Sequence, residues 1–213
     1  MRRTCAGQSL VLASSSPRRR QLLLSIGVDF TIRVPDVDEA RLAGEAAEAY
    51  VRRLSAAKAA AIEAERSLVL AADTIVVLEG DVLGKPDSDD DARRMLARLA
   101  GREHTVLTGV TLRDTDAGTS VSDIAASGVR LRQLSAEEIE WYVATGEPSD
   151  KAGAYALQGI GGLFVEAISG QSSNVIGLPL ALVYGLFERI GSDLRELCST
   201  QNSQRPLDTL AAP

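Results

Sequence analysis

The sequence predicts an α/β fold built as one large domain, and three observations carry this reading. Apolar runs bounded by turn residues, at 10–13 and 68–78, have the character of buried strands. Segments with helical spacing lie between the strand-like runs, the longest at 45–65 and rich in Ala, Glu and Arg. Helix-start signals recur where such segments begin: Ser16-Pro17, Ser88, and Ser135 with Glu138. Helices alternating with strands belong to the α/β or mixed α+β class.

The elements follow in order. Residues 10–13 form a first buried strand, and 17–26 a helix ended by Gly27. Pro17 suits the first helical position and Ser16 the cap before it. Residues 30–34 alternate as a strand closed by Pro35, and the acidic turn Asp36-Val37-Asp38-Glu39 comes next. The helix at 45–65 carries Tyr50, Val51, Leu54, Ala57, Lys58 and Ala61 at roughly helical spacing. Residues 68–78 are the strongest strand signal, turned by Glu79-Gly80-Asp81 into a hairpin with 82–84. Ser88 caps a helix whose first turn holds Asp89, Asp90 and Asp91, where negative charge suits the dipole; it runs to Leu99 and stops near Gly101. Residues 106–112 and 125–134 read as strands around the turn at 114–118. Ser135 and Glu138 make a capping box for a helix that ends at Gly146 and includes Trp141 and Tyr142, read as packing residues. A glycine-rich loop at 153–162 precedes a strand at 163–168, and Gly177-Leu178-Pro179 opens a last helix ending near Ile190. The domain is expected to span 8–192, with a mobile tail over 193–213.

Composition narrows the function. At 213 residues and 45% hydrophobic content the chain can bury a sizeable core, and with aromatics at 4% that core is aliphatic. A net charge of −6 speaks against general affinity for nucleic acid or acidic membranes. No apolar run is long enough to span a bilayer, and basic Met1-Arg2-Arg3 is not followed by a secretory apolar region. The chain reads as a soluble, cytoplasmic protein. Cys5 and Cys198 have neither zinc spacing nor a disulfide framework around them. The single histidine, His104, reads as a structural or supporting residue, so chemistry that needs a histidine pair is excluded.

The residues with chemical meaning suit an anion. Ser14, Ser15 and Ser16 with Arg18, Arg19 and Arg20 crowd the turn into the first helix. Free N–H groups at a helix start attract anions, and arginines there sit badly beside the positive end of the dipole without one. Guanidinium groups grip phosphate oxygens in bidentate fashion, so a polyphosphate is the ligand this turn suits; a capped helix with a solvated basic turn is the plainer reading. Asp73 lies inside an apolar strand, where a carboxylate must be paired, metal-bound or at an open end, and Thr74 points to the opposite face. Lys85, held between Gly84 and Pro86, is placed to contact a phosphate, although the tripeptide alone is a weak signal and is not a Walker A loop. Lys58 is a second phosphate contact or an exposed helix residue. Asp36, Asp38 and Glu39, together with Asp73, can hold Mg²⁺ or Mn²⁺, or form a solvated turn. Gln158, in the glycine-rich loop, offers a donor and an acceptor that can read a base edge.

Taken in order, several motifs resemble the Maf family over roughly residues 10–190. They are Ser14-x-Ser16-Pro17-Arg18-Arg19, Ala72-Asp73-Thr74, Gly84-Lys85-Pro86, Gly101-Arg102-x-His104-x-Val106-x-Thr108-Gly109, Gly146-Glu147-Pro148, Lys151-Ala152-Gly153-Ala154-Tyr155-x-x-Gln158-Gly159 and Asn174-Val175-x-Gly177-Leu178-Pro179. The resemblance implies a nucleoside triphosphate pyrophosphatase that cleaves between the α- and β-phosphates. It implies a two-lobed Maf/ITPase-like α/β fold, a mixed central sheet flanked by helices with a cleft between the lobes, a divalent cation and a homodimer. It implies Asp73 as the proton acceptor for water, Glu39 and Asp73 as metal carboxylates, and Ser14, Arg19, Lys58 and Lys85 as the phosphate grip. Arg18, Thr74 and Gln158 fall where subfamilies differ, and this combination resembles the dTTP/UTP pyrophosphatases. The 7-methyl-GTP branch instead carries an aromatic, Gln and Glu at those positions. A neutral Gln158 suits a pyrimidine imide, where a glutamate would suit guanine's N–H donors. The family's link to septum formation implies a role in cell-division arrest. One departure is Gln171-Ser172-Ser173, where many relatives have an aromatic residue.

Two other readings remain open from the sequence: a non-catalytic nucleotide-binding regulator of cell division, and a purine-specific inosine/xanthosine triphosphate pyrophosphatase. The intact set Asp73, Lys85 and Arg19 favours catalysis. A serine hydrolase would have to use His104, and no G-x-S-x-G elbow surrounds Ser14–16.

Overall fold

The structure, a computed structural model, describes residues 8–198. Its strands form one mixed sheet: β1 (Ser9–Ala13), β2 (Thr31–Arg33), β3 (Ser67–Leu78), β4 (Asp81–Leu83), β5 (Glu103–Asp114), β6 (Thr119–Leu131) and β7 (Val165–Ser169). The order is β2-β1-β3-β5-β6-β7, with β4 paired to β3. β1 runs parallel to β2 and β3, and the remaining pairs are antiparallel. The helices are α1 (Pro17–Ser25), α2 (Ala47–Ala60), α3 (Asp89–Leu99), α4 (Ala136–Ala144), α5 (Ser172–Ile176) and α6 (Leu180–Ile190).

The period-2 alternation of β3 distributes the helices. Leu68, Leu70 and Ala72 join Leu10, Leu12, Val110 and Leu112 beneath Leu23 of α1 and Val183, Leu186 and Phe187 of α6. Val69 and Ala71, with Val11 and Ala13, face the other way and pack on Ala59 and Ile62 at the end of α2. Further along the same strand, Val76 and Leu78 join Val106, Val129 and Leu131 under α3 and α4. β3 and β5 thus carry two cores in series. Thr74 and Thr108, paired opposite each other, fall between them. That interval separates the two lobes.

A second interruption lies at the edge of β3. β1 pairs with β3 only as far as Leu70, β4 begins at Val76, and β5 occupies the other edge. Residues 71–75 are therefore left without a strand neighbour on one side. Asp73 and Thr74 sit in this opening.

α2 lies flush on the sheet at Gly109, the residue paired with Asp73. A Cβ there would stand 2.3 Å from the carbonyl oxygen of Val51, so only glycine allows this approach. The helix is shorter than the 45–65 expected. Arg113 donates from one guanidinium nitrogen to the carbonyls of Ala59, Ala60 and Ile62, satisfying the helix end and stopping the Ala-rich run there. β5 and β6 extend beyond the expected 106–112 and 125–134 toward their shared turn, because backbone pairing proceeds through polar residues such as Ser120 and Ser122. Of the glycine-rich loop, Ala152–Ala154 and Ile160–Phe164 form 3₁₀ turns, and the last strand starts at Val165. α5 had no counterpart in the sequence reading.

Tyr142 is fully buried, whereas Trp141 is half-exposed and meets Phe164 in a T-shaped pair, 6.5 Å between centroids. Packing continues past Ser192. Leu194–Leu197 forms a 3₁₀ turn, Leu194 enters the α1/α6 core, and Cys198 bridges to Val28. Residues 199–213 and Cys5 lie outside the described residues.

His104 is buried in β5, its Nε2 2.8 Å from the Tyr155 hydroxyl. Burial pushes its pKa down to about 4. The neutral ring is the form the fold favours, so its stabilisation is complete above pH ~6.5, the unfolded value, and is lost as pH falls toward the folded one. Stability should drop by about 3 kcal/mol across that window, and His104→Gln should flatten the drop, as measured by denaturant titrations at a series of pH values. Gly109→Ala should lower stability by about 2 kcal/mol or more, read from the melting temperature, because α2 must lift off the sheet.

Candidate active site

The turn after β1 is built by its own hydroxyls. Ser16 caps α1, its Oγ accepting the Arg19 backbone N–H, and Pro17 takes the first helical position. Ser14, buried, accepts from the Ser16 N–H at 3.1 Å and from an Arg19 terminal nitrogen at 3.2 Å. Arg19 does more than face outward. Its Nε donates to the Gly177 carbonyl at 2.8 Å and its second terminal nitrogen to Thr74 Oγ1 at 3.2 Å. Its guanidinium braces three elements: the β1–α1 turn, β3 and the α5–α6 turn. Burial lowers its pKa from the ordinary arginine value, and the Asp73 charge works against that shift.

Thr74 Oγ1 lies 2.9 Å from Thr108 Oγ1, and the Thr108 hydroxyl donates to the Asn174 carbonyl at 3.3 Å. The Asn174 amide, fully buried, donates to the Val106 carbonyl and Ser127 Oγ, both at 3.0 Å. A polar seam therefore crosses the sheet between the two cores.

On the α2 side, two carboxylates meet one ammonium. Lys58 Nζ is 2.6 Å from Asp73 Oδ1 and 2.8 Å from Glu39 Oε1. Lys58 and Asp73 are each 7% exposed. The turn carrying Glu39 hangs from α2, since the Tyr50 hydroxyl donates to the Glu39 carbonyl at 2.7 Å and Arg53 donates to the Ala40 carbonyl at 3.0 Å. Burial opposes the Glu39 charge, but the hydrogen bond and charge of Lys58, with Lys85 and Arg19 beyond, outweigh it and hold the carboxyl below the usual glutamate range.

Lys85 projects at the end of β4. The preceding Gly84 carbonyl accepts from the Gly153 N–H at 2.9 Å, which ties the lysine turn to the glycine-rich loop. Gly153 has φ +70°, and a Cβ on it would press to 2.9 Å from Val76. Arg18 reaches across to Asp150 at 3.5 Å. Gln158 is exposed on the loop.

One cavity of about 580 Å³ is lined by Ser14, Arg18, Arg19, Glu39, Lys58, Asp73, Thr74, Lys85 and Gln158. The structure thus gathers these nine residues, all singled out in the sequence, from six separate segments that the chain keeps far apart. Asp36 and Asp38 do not line it, and Asp38 accepts the Ala40 N–H instead. Tyr50, Asp150 and Tyr155 line it without having been singled out. Their only sequence signal is position: Tyr50 on the helix that follows the acidic turn, Asp150 just before the Lys151–Gln158 motif and Tyr155 inside it.

Among the described residues no group of three His, Cys, Asp or Glu side chains stands ready to hold a metal ion. Glu39 and Asp73 nevertheless converge on one cation, the Lys58 ammonium. Mg²⁺ is commonly held by one or two carboxylates, with substrate phosphates and waters completing its shell. Two carboxylates beside a cavity lined by Arg18, Arg19 and Lys85 match the protein's share of that donor set.

Residues 9–190 match the family model described as Maf-like protein. The chain is 53% identical over 188 residues to a dTTP/UTP pyrophosphatase of Anaeromyxobacter sp. (strain Fw109-5), covering 87% of this chain and 91% of the relative. It is 50% identical over 187 residues to a dTTP/UTP pyrophosphatase of Moorella thermoacetica, covering 87% and 96%. The protein of the same description from Myxococcus xanthus is 49% identical over 187 residues, covering 87% and 94%.

Lys58→Met removes the one cation between Glu39 and Asp73. It should cost about 2 kcal/mol at neutral pH, by leaving a buried carboxylate unpaired. The Glu39 stabilisation exists above the ordinary glutamate pKa of ~4.3 and is lost as pH falls below it. The gap between variant and unaltered protein should therefore narrow on acidification, a trend that thermal denaturation at pH 7 and pH 4 would measure.

Proposed function

The chain belongs to the Maf family, and from that premise we propose that it hydrolyses dTTP and UTP to the nucleoside monophosphate and pyrophosphate. The observation that carries this reading is the pairing of Asp73 with Lys58 inside a nucleotide-sized, cation-rich cavity. Relatives about half identical over nearly their whole length bear the same activity in their names.

Phosphoryl chemistry needs charge neutralisation and positioning more than covalent help. Ser14, Arg19, Lys58 and Lys85 meet the triphosphate oxygens. Asp73, oriented by Lys58, accepts a proton from water. The water oxygen bonds to the α-phosphorus, the bond to the bridging oxygen breaks, and pyrophosphate leaves with the electron pair. Glu39 and Asp73 would hold a Mg²⁺ or Mn²⁺ ion, which would supply further neutralisation of phosphate charge. Arg18, Thr74 and Gln158 select the base, with the Gln158 amide meeting the donor and acceptor of a pyrimidine imide. Modified pyrimidine nucleotides fall within the same chemistry.

The reading extends to a homodimer acting in the cytoplasm, and to a part in septum formation, on the family resemblance. Among the described residues no helix is long and apolar enough to cross a membrane.

Pyrophosphate release from dTTP, UTP, CTP, GTP, ITP and 7-methyl-GTP with Mg²⁺ or Mn²⁺ tests the proposal. Selective turnover of dTTP and UTP is expected, and Asp73→Asn should lower kcat at least about 100-fold. Preference for ITP or 7-methyl-GTP would keep the reaction and overturn the base assignment. Binding without turnover would favour a nucleotide-binding regulator.

A further inference from the structure

The loop that carries Gln158 is held by a single carboxylate. Glu147 Oε1 accepts from the Tyr142 hydroxyl at 2.8 Å and from the Gly161 N–H at 2.9 Å, and Oε2 accepts from the Ile160 N–H at 3.0 Å. The Tyr142 oxygen in turn accepts the Ala156 N–H at 3.2 Å. Ala156 and Ile160 flank Gln158 by two residues on either side, so both arms of the loop end on the Tyr142–Glu147 pair. The glycines show that the fit is close. A Cβ on Gly159 would stand 2.5 Å from Glu147 Oε2, and one on Gly161 would stand 2.5 Å from the Tyr142 hydroxyl. Gly159 has φ +105°, open to glycine and strained for other residues.

We propose that Glu147 is a positioning residue for base selection: its carboxylate, with the Tyr142 hydroxyl, clamps the backbone on both sides of Gln158 and so fixes where that amide meets the nucleobase. The inference rests on the base-reading role given to Gln158 above. Burial opposes the Glu147 charge, while the two backbone N–H groups and Tyr142 outweigh it and keep the carboxyl below the ordinary range. The clamp thus stays an acceptor throughout neutral pH. Tyr142 itself is anchored, fully buried and edge-on to Phe164 at 5.0 Å. The clamp's other end is therefore rigid core, and side-chain order passes from the core to an exposed loop.

The test compares kcat and KM for dTTP, UTP and GTP in the unaltered enzyme and in Glu147→Ala, Glu147→Gln and Tyr142→Phe. Glu147→Ala should raise KM for dTTP about tenfold or more, with a smaller change in kcat, and should shrink the dTTP-over-GTP preference to a similar degree. Glu147→Gln keeps one acceptor oxygen and should fall between. Tyr142→Phe should shift the preference in the same direction. Combined with Glu147→Gln it should give less than the product of the two effects, since both act through one clamp. If Glu147→Ala does not fold, the other two variants decide. A preference unchanged in the folded variants, or a loss equal for all three nucleotides, would overturn the inference while leaving the activity in place. An unaltered enzyme that shows no pyrimidine preference would instead overturn the base assignment on which the inference depends.

Discussion

The contact between Lys58 and Asp73 sets the terms for the rest of the molecule. A carboxylate in the middle of an apolar strand is costly unless a partner meets it. The partner here comes from a helix, so α2 must lie close enough for a lysine stem to reach the sheet. That closeness is available only because the residue beside Asp73 on the next strand, Gly109, has no side chain. The charge pair, the helix seat and the glycine are one requirement expressed at three places in the chain. Well-packed apolar residues often stabilise a fold as well as a buried ion pair does. Both members of the pair line the cavity.

The opposite face solves a related problem. Two aliphatic cores sit in series on β3 and β5, and the gap between them must be polar without leaving groups unpaired. Thr74, Thr108 and the Asn174 amide nitrogen meet most of that need by bonding to one another and to backbone, with Arg19 closing the seam at the cavity, while the buried Asn174 Oδ1 has no hydrogen-bond partner among the described residues. Arg19 bonds Ser14, Thr74 and Gly177 at once, so the guanidinium that faces the ligand space also braces its wall.

Much of this is legible in the sequence, for physical reasons that differ from place to place. Asp73 stood out because a carboxylate inside Leu-Val-Leu-Ala-Ala-Asp-Thr-Ile-Val-Val-Leu contradicts its surroundings. Ser88 and the Ser135–Glu138 box act within one helical turn, so spacing alone located α3 and α4 closely. What stayed hidden depended on distant partners. The early end of α2 is set by Arg113, more than fifty residues away, against an Ala-rich run whose propensity points onward. α5 is five residues long, too short for periodicity to register. Glu147 appeared as a motif letter beside Gly146 and Pro148, and its bonds go to a helix before it and a loop after it. Only the folded path brings those together.

The strands that bear the cavity have one more implication. β3, β5 and β6 run unbroken from the first core into the second, paired along nearly their whole length. The two lobes therefore share a backbone and have no linker to bend. Rigid-body clamping of one half onto the other would require shearing continuous ladders, so any shape change during a catalytic cycle is confined to what overhangs the sheet: the acidic turn that ends at Glu39 and the glycine-rich loop. The scaffold works as a fixed bench. Two segments overhang the plate, and the plate beneath them keeps its register.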